Sequence, residues 1–140
     1  MKRIFFVMVL MLIGLTACSP TQFTVSEPWA RPAQTRGTGA AYFIIENPVA
    51  QADTLLNATS DIAETVELHK TVMTQGDMMQ MMRMERIAIP ANAKVEFKPG
   101  GSHVMFINLK RDLKTGDTFA LTLEFQNAGK INLQVKVQER

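Results

Sequence analysis

Beyond Phe23 apolar and polar positions alternate along most of the chain, and the alternation comes in short runs. A period of two predicts strands over Phe23–Glu27, Ala40–Asn47, Thr54–Ala58, Ala63–Val72, Met78–Ile87, Lys94–Lys98, His103–Asn108, Thr118–Phe125 and Lys130–Val137. Turn-forming stretches separate most of them: Asn47-Pro48, Ile89-Pro90, Pro99-Gly100-Gly101, Thr115-Gly116-Asp117 and Asn127-Ala128-Gly129. The last two runs match face to face, Phe119, Leu121, Leu123 and Phe125 against Ile131, Leu133, Val135 and Val137, which predicts a hairpin turning at Gln126–Gly129. Short strands at this spacing make one all-β domain, an antiparallel sandwich or barrel.

The first stretch breaks that pattern. Lys2 and Arg3 precede an unbroken apolar run, Ile4 to Leu15, too short for an ordinary membrane-spanning helix and ending on Leu15-Thr16-Ala17-Cys18. Small residues before a cysteine resemble the bacterial lipobox, at which lipid is attached to the cysteine sulfur. The expected organisation is a signal peptide over 1–17, a lipidated Cys18 with a short tether over 18–22, and a β-sandwich domain over 23–140. Ser19 to Gln22 would give a tether of roughly 15 Å at ~3.3 Å per extended residue, so the domain sits close to its membrane.

At 140 residues, with 46% hydrophobic and 20% charged content, the chain supports one cored domain and excludes a disordered tail. The formal charge of +2 vanishes once Lys2 and Arg3 are removed, since thirteen basic then face thirteen acidic side chains. Such a balance excludes a nucleic-acid footprint. Cys18 is the only cysteine, and with lipid on its sulfur the folded part carries neither a disulfide nor a thiolate. Soft-metal chemistry, if present, falls to methionine and histidine.

Methionine is concentrated where that chemistry would need it. Seven of the ten methionines lie beyond Cys18, and six of those fall between Met73 and Met84, with Met105 the seventh. Taken alone, Met78, Met81 and Met82 have the i, i+3, i+4 spacing of a helix face packed on a core. The two histidines flank the cluster and shift that reading. In Gly101–Asn108, His103 and Met105 share one strand face while Val104 and Phe106 point to the core. In Glu64–Lys70, Val66 and Leu68 point inward and His69 turns outward beside Glu67 and Thr71. A His/Met set without thiolate or carboxylate cluster suits Cu(I), because a thioether is neutral and polarizable and prefers that d¹⁰ ion to Zn(II), Mg(II) or Ca(II). Neutral ligands also keep affinity moderate, as a carrier that must release its ion requires.

These residues resemble the periplasmic copper chaperones known as the PCuAC family. The likeness is carried by Pro28-Trp29-Ala30-Arg31, Thr38–Phe43, Val66–His69, Gly76–Met81, Ile89-Pro90-Ala91 and Lys98–Met105, nearly the whole length beyond Cys18. It implies a cupredoxin-like, Greek-key antiparallel β-sandwich in the periplasm that binds Cu(I) through His69, Met81, His103 and Met105. By that implication it supplies copper to a membrane-bound copper enzyme, such as cytochrome c oxidase or its assembly factors. Twenty-one residues separate Met81 from His103, as the family pattern has it, but eleven rather than ten separate His69 from Met81. Counting ten lands on Gln80, which has no soft donor, so the extra residue is expected in the turn around Thr74–Asp77. Met79 shares a face with Met81 and is the substitute ligand; Met78, Met82 and Met84 should face away or lie on the rim.

The four ligands are expected to converge on one exposed patch, with Trp29 and Tyr42 assigned to packing. An enzyme is not expected: there is no free cysteine, no Gly-x-Ser-x-Gly, and no histidine paired with a nearby carboxylate by motif. A blue-copper electron carrier would need a thiolate. The rival role for the same ligands is a copper-sequestering or resistance lipoprotein without a dedicated recipient.

Overall fold

A computed structural model describes residues 22–140, so Cys18 and the expected signal peptide over 1–17 lie outside the described residues. Ten strands follow in order: β1 (Thr24–Ala30), β2 (Thr38–Asn47), β3 (Asp53–Thr59), β4 (Ala63–Met73), β5 (Met79–Met84), β6 (Ile87–Ile89), β7 (Ala93–Phe97), β8 (Ser102–Leu109), β9 (Thr118–Phe125) and β10 (Gly129–Val137). Among the described residues there is no helix, and none long and apolar enough to cross a membrane. The all-β class is as expected, and the methionine cluster is not a helix face.

The strands hydrogen-bond in the order β5-β4-β8-β7-β2-β1-β10-β9-β3-β6, with β8 also pairing β2. The sheet curls over a single apolar core whose members come from both halves, and the Phe106 ring of β8 meets Phe119 of β9 edge-on, 5.4 Å between centroids. Alternation decides which residues are inside: Val104 and Phe106, then Leu121 and Leu123, are fully buried while their strand neighbours point out. The β9–β10 hairpin forms in the expected register, Leu121 opposite Leu133 and Leu123 opposite Ile131.

Two features depart from the expectation. The run Met78–Ile87 is not one strand: β5 stops at Met84 in a hairpin with β4, and β6 pairs with β3 at the other end of the sheet. Nor is the sheet purely antiparallel, because β1 runs parallel to β10 and β7 parallel to β8. The β7–β8 contact is a single bridge, Phe97 to Ser102, whereas β1 meets the last strand of the fold after leaving its early register with β2 at a bulge where Glu27 takes a φ of 50°.

Asp53 ties the far end together. Its buried carboxylate accepts the backbone N–H groups of Thr54 (2.7 Å), Asn127 (2.9 Å) and Ala128 (2.8 Å), fixing the β9–β10 turn to the start of β3. Burial pushes its pKa up, but the backbone donors outweigh burial and the net shift is downward. A carboxyl whose pKa is depressed by folding contributes stability that is present above its unfolded value and lost as pH falls through the folded one. Asp53→Asn should therefore cost about 1.5–3 kcal/mol near neutrality, the range for hydrogen bonds to a charged group, and narrow the gap to wild type as pH drops below ~4. Urea unfolding at two pH values checks both; an equal difference at both would place the effect elsewhere.

Candidate metal centre

Three adjacent strands present one outward face. In β4, Glu67, His69, Thr71 and Met73 lie on it, and register brings their partners to the same side: Met105 and His103 of β8 opposite Glu67 and His69, and Arg83, Met81 and Met79 of β5 opposite His69, Thr71 and Met73. All four expected ligands and Met79 thus share a face. The hairpin between β4 and β5 turns through Thr74–Met78, closed by the Thr74 N–H and hydroxyl donating to the Met78 carbonyl. Gly76 (φ 92°) and Asp77 (φ 57°) make the turn.

Met79, Met81, His103 and Met105 line a common cavity of about 490 Å³, with Tyr42 and Arg31 also in its walls. His69 does not line it: its ring lies beside that of His103, 5.8 Å between centroids. The expectation of one exposed patch is therefore corrected. His103 is only 5% exposed, because β8 is an interior strand with β4 on one side and β2 on the other and the Tyr42 ring lies 6.3 Å away. Met81, on the edge strand β5, is 59% exposed. Met79 and Met81 are open to solvent, Met105 is half-buried, and the histidines are covered. Met84 packs against the core and Met82 lies opposite Lys70 on the other face, as strand parity requires.

The hydrogen bonds of the two imidazoles settle which nitrogens are free. His103 Nδ1 lies 3.1 Å from the Gly101 carbonyl, which can only accept, so Nδ1 carries the hydrogen and Nε2 keeps its lone pair. Burial, chiefly, holds the His103 pKa below the usual imidazole value, the Gly101 contact opposing and His69 adding to the shift, so the ring is neutral at pH 7. His69 is the other way round. Its Nε2 donates to Glu67 Oε2 at 2.8 Å, and Arg83 Nε stands 3.4 Å from the other carboxylate oxygen. Nδ1 of His69 is buried with no hydrogen-bond partner. A buried lone pair without a donor is costly unless something binds it, and a metal ion is one such thing.

Glu67 and Arg83 are neighbours of His69 to which motif inspection gave no role, and the expectation of no histidine–carboxylate pair is corrected. The signal was in the sequence: Glu67 is i−2 to His69, and in a strand that puts both on one face. The third member of the row is Arg83, a charge and not a nucleophile, so the pair orients an imidazole without activating a hydroxyl or thiol. Trp29 and Tyr42 do pack, with centroids 4.6 Å apart, but on the site face and not in the main core. Among the described residues no three His, Cys, Asp or Glu gather as they would for a hard or borderline ion.

Residues 23–137 match the family described as "Putative lipoprotein LpqE-like". Protein RP573 of Rickettsia prowazekii (strain Madrid E) is 34% identical over 116 residues, covering 79% of this chain; the chain spans only 64% of that relative's length. Among solved structures, the copper-bound PCuAC domain from PmoF2 superposes with a TM-score of 0.70 at 24% identity, covering 84% of this chain and 93% of that domain. The solution structure of CuI-DR1885 from Deinococcus radiodurans gives a TM-score of 0.65 at 28% identity, covering 86% of this chain and 83% of that one.

Proposed function

The chain belongs to the LpqE-like family, and from that premise we propose that it is a copper chaperone that carries one Cu(I) ion on His69, Met81, His103 and Met105. The observation that carries this reading is the shared face on which two thioethers and two imidazoles meet, each imidazole with one nitrogen left free. Neutral sulfur and nitrogen donors fit a soft monovalent ion, and the likeness to a Cu(I)-bearing protein of the same fold supports the choice. His103 would offer Nε2 and His69 Nδ1. The cargo is held and released rather than transformed, so the role is that of a carrier and not a catalyst.

The family's description as lipoproteins supports an envelope location, with the lipid on Cys18 and the domain in the periplasm. Held there by a short tether, the protein would hand copper to a membrane-bound copper enzyme, cytochrome c oxidase or its assembly factors. Anaerobic titration with Cu(I) against a competing chelator tests the central claim: one tight equivalent is expected. Failure to compete with the chelator at any stoichiometry would sink it.

Glu67 bears on the same site through His69. A carboxylate on the far nitrogen of a ligating histidine fixes its tautomer and raises its basicity, and loss of such a partner costs about 10–100-fold in metal affinity. Glu67→Gln should weaken Cu(I) binding by at least about tenfold on that basis while leaving the stoichiometry at one tight ion. An unchanged chelator competition curve would mean that His69 does not ligate through Nδ1.

A further inference from the structure

Five methionines of the β4–β5 hairpin, Met73, Met78, Met79, Met81 and Met82, are between 47% and 68% exposed, and none belongs to the core. Only Met81 is used by the carrier site. We propose that Met73, Met79 and Met81 form a second, weaker Cu(I) site built from thioethers alone, an entry position that shares Met81 with the His/Met centre. It rests on the preceding reading only in that Met81 serves both.

Met73 and Met79 are direct cross-strand partners, the last pair before the turn, and Met81 is two residues on along the same face. Directly opposed side chains have Cβ atoms about 4.5–5.5 Å apart and diagonal neighbours about 7–8 Å, distances that long side chains close easily. Methionine has three rotatable bonds, so three sulfur atoms at this spacing can turn toward one ion. Three charged side chains lie near the trio: Asp77 in the turn, Arg83 beyond Met81 and paired with Glu67, and Arg31 in the wall of the cavity that Met79 and Met81 line. A site of neutral thioethers takes a soft monovalent ion and ignores hard cations. Lacking an imidazole and open to water, it binds more weakly than the covered centre.

The position is also on the way in. Met79 and Met81 line the same cavity as His103 and Met105, whereas Met73 lies beyond it toward the tip. An ion held at the tip reaches the carrier site by exchanging Met73 and Met79 for His69, His103 and Met105 while Met81 stays bound. The ion keeps its charge throughout and only ligand bonds form and break.

The test uses the full chain in detergent micelles with Cys18→Ser, so that the lone thiol cannot take the ion, and methionine labelled at the methyl carbon. Silver(I), a d¹⁰ ion that does not change oxidation state, is the probe. The first equivalent is expected to shift the methyl signals of Met81 and Met105, and the second, with Met81 already taken, those of Met73 and Met79. Met73→Leu should then weaken the second equivalent at least tenfold and leave the first unchanged; Met73 is exposed, so the fold is not at risk. Unmoved Met73 and Met79 signals, or a second equivalent unaffected by Met73→Leu, overturns the proposal while the carrier reading stands. Shifts at Met73 and Met79 without any at Met105 would leave this site standing and defeat the carrier site instead.

Discussion

Replacing Met81 and Met105 together with leucine is expected to abolish tight Cu(I) binding, while any Cu(II) uptake through His69 and His103 survives better. Thioethers stabilise Cu(I), whereas Cu(II) prefers nitrogen and oxygen donors in a tetragonal array. The double change removes both sulfurs from the carrier site and also the shared sulfur of the hairpin site, but neither imidazole. The fold should tolerate it: Met81 is mostly exposed, Met105 points away from the core, and a leucine-for-methionine swap costs under ~1.5 kcal/mol even in a core. The measurement is a paired titration of wild type and variant, Cu(I) under a competing chelator and Cu(II) by spin resonance. Equal loss of both ions, with native circular dichroism, would defeat the idea that the thioethers select the oxidation state.

Strand parity made much of the site legible beforehand. His103 and Met105 alternate with Val104 and Phe106, and once the latter are inside, the former must be outside together. The same parity put Met79 with Met81 and turned Met82 away. What parity cannot carry is which strands become neighbours. Nothing in Met78–Ile87 marks the point at which β5 ends and β6 departs for β3, because both pieces are apolar-rich and the break at Glu85-Arg86 is merely polar. The covering of the histidines has the same origin. A residue on an outward face is exposed on an edge strand and hidden on an interior one, and only the pairing of β8 with β4 and β2 shows that His103 is of the second kind. Glu67 is a different case: strand parity placed it beside His69, and a search for familiar sequence motifs gave the pair no role.

Phe106→Ala, one position along from the proposed ligand Met105, is expected to destabilise the domain by about 3–5 kcal/mol, the range for truncating a buried aromatic. Phe106 is fully buried on the inner face of β8 and meets Phe119 edge-on across the core, so alanine leaves a cavity where the two halves of the sheet touch. For a domain of this size that loss corresponds to a fall of roughly 10–25 °C in melting temperature, a large share of a typical stability of about 5–15 kcal/mol. The site should suffer only through the fold: below the new midpoint the variant should still take up Cu(I), since His103 and Met105 keep their face as long as β8 stays paired with β4. Met105→Leu is the mirror case, expected to weaken Cu(I) binding with little change in melting temperature. Thermal unfolding and Cu(I) titration of both variants measure the two effects side by side. If Phe106→Ala left the melting temperature in place, or Met105→Leu lowered it as far, the inner and outer faces of β8 would be assigned the wrong way round and the metal centre with them.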